Sequence, residues 1–90
     1  MPKYVIEREL PGAGELSGEQ LRDISQKSNK VLSDLGPEIQ WLHSYVTDDK
    51  LYCVYIAPDS DIIYEHARCG GFPADRVTKI ANEIDPATGD

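Results

Sequence analysis

His66 is the residue best placed for chemistry, because the spacing of its neighbours puts it on the apolar stripe of a predicted helix. Counting about 100° per residue from Ile62, Ile63 lies at about 100° and His66 at about 40°, so the imidazole shares a side with the isoleucines. We expect its ring to be at least half buried. A buried imidazole either takes a backbone hydrogen-bond partner or serves as a metal ligand or general acid or base. The spacing leaves both interpretations open.

The two cysteines, Cys53 and Cys69, are the next candidates. Cys69 follows His66 by three positions and could reach the same neighbourhood. Cys53 lies in the middle of a predicted strand, where a cysteine is commonly a small buried hydrophobe, and a nearby metal or cation would be needed to activate its thiol. A Cys/His nucleophilic pair also needs an orienting group and an oxyanion site, and the sequence offers neither, which favours binding over catalysis.

A carboxylate on the first predicted strand could complete a metal site. Glu7 and Glu9 share one side of that strand, whereas Arg8 points the other way. Because the first strand should lie beside the third, we expect Glu7 near Cys53, with a solvated sheet edge as the alternative.

A set of aromatic residues suggests a different kind of site. If the hairpin turn is centred on Asp48-Asp49, then Val46 faces Leu51, Ser44 faces Cys53 and His43 faces Val54. Strict alternation then puts four rings on one face, which predicts a dimer surface or a small-molecule pocket. These rings belong to Trp41, His43, Tyr45 and Tyr52.

The elements that must position these residues follow one another in the order β-α-β-β-α-β. The predicted strands are Lys3 to Glu9, Ile39 to Val46, Leu51 to Ala57 and Arg76 to Ile84. The predicted helices run from the cap at Ser17 to Gly36-Pro37, and from Asp59 or Ser60 to Gly70-Gly71. This order predicts an α+β, ferredoxin-like βαββαβ domain over residues 1–90, with an ordered core of about 3–85. Both helices should cover one face of a four-stranded antiparallel sheet.

The second face of such a sheet has no helix to cover it. The hairpin carries apolar side chains on both faces, and burying each large one stabilises a protein by roughly 1.5 to 3 kcal/mol. We therefore expect a homodimer that forms through the open face of the sheet.

Composition limits the partners. The 90 residues include 9 Lys plus Arg against 16 Asp plus Glu, a formal net charge of -7. That charge repels phosphate backbones and anionic lipid, so we expect neither nucleic acid nor membrane as a partner, and it attracts cations. With no apolar run of about 18 residues and no signal-peptide pattern, we expect a cytoplasmic protein.

Three segments carry a family resemblance. They are Leu51-Tyr52-Cys53-Val54-Tyr55-Ile56-Ala57-Pro58, Glu65-His66-Ala67 and Gly71-Phe72-Pro73-Ala74-Asp75. In these segments the chain resembles a bacterial family of small ferredoxin-like domains that includes nickel-binding proteins. Cys53 and His66 match the family pattern. Where many members carry a first-strand histidine this chain has Glu7, and where a further histidine is common it has Gly70, beside Cys69.

The resemblance implies a dimer that binds nickel or a similar divalent transition metal, in sequestration or tolerance. Its predicted ligands are His66 and Cys53, with Glu7 or Cys69 and water completing the site. Two alternatives remain. One is a dimeric small-molecule-binding protein or enzyme that uses the aromatic pocket around Trp41, His43, Tyr45 and Tyr52. The other is a purely structural dimer or regulatory partner.

Overall fold

The strands form one antiparallel sheet, and both helices follow the predicted order. A computed structural model describes residues 1–90. The strands are β1 (Lys3–Glu9), β2 (Gln40–Val46), β3 (Lys50–Ile56) and β4 (Arg76–Lys79), and the helices are α1 (Gly18–Leu35) and α2 (Ser60–Gly70). Short 3-10 turns occupy Ala13–Glu15 and Pro86–Gly89. The sheet order is β2-β3-β1-β4, which confirms the α+β, ferredoxin-like prediction.

Helix α1 begins at the predicted capping box. The Gln20 amide donates to Ser17 Oγ at 3.1 Å, and the Ser17 amide donates to Gln20 Oε1 at 2.9 Å. Two donors that have no partner within the helix are thereby satisfied, which fixes where the helix starts.

Helix α2 is capped at both ends. At its start Asp59 Oδ1 accepts from the Ile62 amide at 3.2 Å. At its end Gly71 adopts a φ of 67°, the Phe72 amide donates to the Ala67 carbonyl at 2.9 Å, and the Gly71 amide donates to the Arg68 carbonyl at 3.3 Å. This pair of bonds is a Schellman motif, and it turns the chain back over the end of the helix.

The core lies between the helices and one face of the sheet. Ile63 of α2 is fully buried against Ile6 of β1 and Tyr55 of β3, and Leu32 and Leu35 of α1 pack on the same cluster. None of the helices is long and apolar enough to cross a membrane.

A bulge in β2 corrects one predicted face of the sheet. The cross-strand pairs Val46 with Leu51, Ser44 with Cys53 and His43 with Val54 are confirmed. Between His43 and Trp41, however, the register shifts, and Trp41 pairs with Tyr55 on the helix side of the sheet. The extra residue is Leu42, which is 40% exposed. A one-residue bulge breaks strict alternation, so the prediction that Trp41 and His43 share a face is wrong.

The closing strand is shorter than predicted. Pairing between β1 and β4 runs only from Glu7 with Arg76 to Tyr4 with Lys79. One more backbone hydrogen bond follows, from the Ile80 amide to the Lys3 carbonyl at 2.9 Å. Because β1 begins at Lys3, the chain after Ile80 has no further residue of β1 to pair with. Residues 81–84, which the sequence predicts as the end of this strand, extend past the sheet as exposed chain.

Replacing Gly70 should test the packing at the end of α2. An added Cβ at Gly70 would overlap the ring of Phe72, whereas a Cβ at Gly18 would meet no atom within 4 Å. We expect Gly70→Ala to lower the free energy of unfolding by about 1–3 kcal/mol, as overpacking does. Gly18→Ala is the matched control, and urea denaturation of both variants measures the difference. Equal stability of the two variants would contradict this packing.

Candidate functional site

His66 is the centre of a buried polar cluster. Its exposure is 0%, which confirms the predicted burial. Its Nε2 lies 3.2 Å from the hydroxyl of Ser28 on α1, and its Nδ1 has no hydrogen-bond partner. The imidazole lies between two rings, with centroid distances of 5.4 Å to Tyr55 and 5.5 Å to Phe72. The hydrogen-bond partner of His66 is thus Ser28 of α1, through the side-chain hydroxyl.

Burial keeps this imidazole neutral. Loss of hydration and, second to it, the positive charge of Arg8 together lower the pKa of His66 from 6.5 to about 4, against a smaller opposing effect of Ser28. Both main causes disfavour the protonated form. At neutral pH His66 is therefore an uncharged hydrogen-bonding group.

Arg8 is the second member of the cluster, and it is a buried cation. It alternates with Tyr4 and Ile6 on the helix side of β1 and is only 3% exposed. One guanidinium nitrogen, Nη1, donates to the Pro73 carbonyl, and the guanidinium carbon lies 5.6 Å from the centroid of the Phe72 ring. Its other terminal nitrogen, Nη2, is buried without a partner. None of the four ion pairs in the structure includes Arg8.

Tyr55 completes the cluster from the centre of the sheet. Burial raises the pKa of the Tyr55 hydroxyl, an effect that the nearby Arg8 charge partly offsets. The hydroxyl therefore keeps its proton and remains a neutral donor beside a cation.

A small cavity adjoins the cluster between α1 and the sheet. Its volume is about 70 Å³, and it is partly open to solvent. Its wall is predominantly apolar. The polar groups in it belong to the cluster and to the side chains of Ser25, Ser44 and Cys53. The lining residues are Arg8, Leu21, Ile24, Ser25, Ser28, Trp41, Ser44, Val46, Leu51, Cys53, Tyr55 and Phe72.

The four predicted metal ligands do not come together within one chain. Cys53 is 4% exposed and faces the helices with His66, but Glu7 lies on the opposite face of the sheet, between Lys50 at 3.8 Å and Arg76 at 3.9 Å. The cross-strand partner of Cys53 is Ile6, the neighbour of Glu7, and successive strand residues point to opposite faces.

Cys69 is also separate from the cluster. Its side chain is exposed, and its thiol lies 3.5 Å from a carboxylate oxygen of Glu65 on the same helix. No group of three or more His, Cys, Asp or Glu side chains is close enough to hold a metal ion. The predicted set of His66, Cys53, Glu7 and Cys69 therefore does not fit a metal ion within a single chain.

The predicted aromatic pocket is also divided between the two faces. His43, Tyr45 and Tyr52 lie on the uncovered face, where the rings of His43 and Tyr45 meet edge to face at 5.1 Å. Trp41 lines the cavity on the other side of the sheet, and its indole N–H donates to Ser44 Oγ at 2.9 Å.

Sequence reasoning missed Arg8, Ser28 and Tyr55, although their spacing carries a signal. Arg8 continues the alternation of Tyr4 and Ile6, so it belongs on the buried side of β1. Ser28 lies on the same helical stripe as Leu21 and Ile24 of α1, a position that faces the sheet.

The order of the elements and the four-stranded antiparallel sheet define the chain as a ferredoxin-like α+β domain. Residues 4–80 match the model of a family described as "Nickel responsive protein SCO4226-like", and the chain belongs to that family. The crystal structure of SCO4226 from Streptomyces coelicolor A3(2) has the same fold, with a TM-score of 0.77 at 14% identity, covering 91% of this chain and 99% of that one. No curated protein matches the chain.

The buried His66 should make folding stability depend on pH. In the unfolded chain the imidazole takes up a proton near pH 6.5, but in the folded protein it does so only near pH 4. Protons therefore favour the unfolded state, and the contribution present above pH 6.5 is lost as pH falls towards 4. We expect the wild type to lose on the order of 3 kcal/mol more stability than His66→Gln between pH 7 and pH 4.

Urea denaturation at several pH values measures this difference. Tyr64→Gln changes an exposed side chain on the same helix, leaves His66 in place and should keep the wild-type dependence. Parallel pH profiles for the wild type and His66→Gln would show that the buried imidazole is not responsible.

Proposed function

We propose that this protein is a homodimer that binds nickel or a similar divalent transition metal and serves in sequestration or tolerance. The observation that carries the proposal is the match of residues 4–80 to a family described as nickel responsive. The net charge of -7 supports it, because an acidic protein attracts divalent cations.

The uncovered face of the sheet supports the homodimer. Val5, Tyr52, Val54 and Ile56 lie on this face, and Tyr45 beside them is 61% exposed. Contact between two such faces removes these side chains from water, the same driving force that buries the helix side.

The homodimer also brings together potential metal ligands from two chains, which one chain alone does not gather. A single chain gathers no three potential ligands. His43 is an exposed imidazole on the face through which we propose that two copies meet, and imidazole is a good ligand for nickel, zinc and copper. We therefore assign His43, rather than the fully buried His66, as a metal ligand, with further donors from the second copy.

Dimerisation can be tested by charging the uncovered face. Val54→Lys puts a cation in the middle of that face, and we expect it to convert a dimer into a monomer in sedimentation velocity at micromolar concentration. Tyr64→Lys, which changes a 49% exposed side chain on α2, is the control and should remain dimeric. A monomeric wild type would refute the homodimer.

Calorimetric titration of tag-free protein with Ni²⁺, Zn²⁺ and Cu²⁺ tests the metal assignment. We expect the wild type to bind and His43→Ala to bind at least about tenfold more weakly, since removing one ligand costs about 1.4 kcal/mol or more. His66→Gln should bind as the wild type does. Loss of binding in His66→Gln with His43→Ala unaffected would move the site to the core, and no heat from the wild type would refute metal binding.

A further inference from the structure

Arg8 is a buried guanidinium without a carboxylate. An unpaired buried charge strongly destabilises a folded protein, because nothing replaces the hydration that the charge has lost. Here the Pro73 carbonyl, the Tyr55 hydroxyl and the Phe72 ring interact with the guanidinium, and Nη2 has no hydrogen-bond partner. Since buried polar groups are nearly always hydrogen-bonded in folded proteins, a free nitrogen on a buried cation is a suitable donor for an anion.

The cavity beside Arg8 offers space for an anion. Arg8 lines the cavity between α1 and the sheet, together with the hydroxyls of Ser28 and Tyr55, which can donate to the same anionic group. The rest of the wall is mainly apolar and includes Leu21, Ile24 and Trp41. Pockets with an apolar wall and a few convergent polar groups are typical of small-molecule sites.

We propose that this cavity binds a small carboxylate with a short apolar tail, whose carboxylate pairs with Arg8. A volume of about 70 Å³ is less than half of the roughly 150 Å³ that holds benzene in an engineered cavity, so the ligand is short or extends through the opening. The planar fork of arginine matches a carboxylate. The apolar wall and the net charge of -7 both disfavour a multiply charged anion such as phosphate.

Phe72 lies beside the guanidinium. Because Nη2 is itself closed to solvent, a ligand that pairs with it must displace a neighbouring side chain. The ring of Phe72 lies beside Arg8 and follows Gly70 and Gly71, and Lys27 Nζ lies 5.5 Å from its centroid. A second cation therefore lies beside the same aromatic ring.

Trp41 provides the signal for a test, because it is the single tryptophan and lines the cavity. We would titrate metal-free protein in EDTA with butyrate and with butyramide, the uncharged analogue of the same shape, and follow fluorescence and binding heat. We expect butyrate to bind with a Kd on the order of 1 mM, and butyramide and inorganic phosphate to bind at least about tenfold more weakly. Equal binding of butyrate and butyramide, a phosphate affinity that matches butyrate, or no response to butyrate would overturn the proposal.

Matched arginine variants locate the site. Arg8→Met removes the buried charge but keeps the length of the side chain, and replacing a buried charge with an apolar group is often tolerated. Arg76→Met removes an equal charge from the uncovered face of the sheet. We expect butyrate binding to be lost in Arg8→Met and kept in Arg76→Met, and equal loss in both would overturn the site. The comparison of butyrate with butyramide in the wild type is decisive even if Arg8→Met does not fold.

Discussion

The two unequal faces of the sheet determine where every candidate residue lies. Both helices pack on one face, and strand residues alternate between the faces, so a shift of one position moves a side chain from the core to the uncovered surface. Glu7 and Arg8 are chain neighbours, yet one forms surface ion pairs and the other is buried. The same alternation separates Glu7 from Cys53, and the bulge at Leu42 separates Trp41 from His43.

Electrostatics couple the residues on the helix side of the sheet. Arg8 and His66 both border the Phe72 ring, and two adjacent buried cations would repel strongly where little water screens them. Arg8 keeps its charge because a guanidinium does not lose its proton in proteins, so the imidazole is the group that stays neutral. The depressed pKa of His66 follows from this competition as well as from burial.

Most of the fold could be predicted from the sequence, because its signals are local. The capping box at Ser17, the turn after Val46 and the glycines after Cys69 act through neighbouring residues, and they set the element order correctly. The bulge in β2 could not be predicted, since no glycine or proline marks it in Trp41-Leu42-His43. The site was harder to predict than the fold, because its contacts join residues far apart in the chain, such as Ser28 and His66, which are 38 positions apart. Periodicity gives the face of an element on which a residue lies, but not the residue that it meets on another element.

The end of α2 shows how a local signal nevertheless builds the site. Gly71 takes the left-handed conformation that side chains disfavour, and the Schellman motif then directs the chain back over the last turn. Phe72 is the first residue after that turn, and its ring packs where an additional methyl group on Gly70 would lie. One ring thereby contacts the helix end, borders His66 and covers Arg8. The two adjacent glycines are needed for different reasons, one for backbone conformation and one for space, and together they place the ring of Phe72 beside the polar cluster.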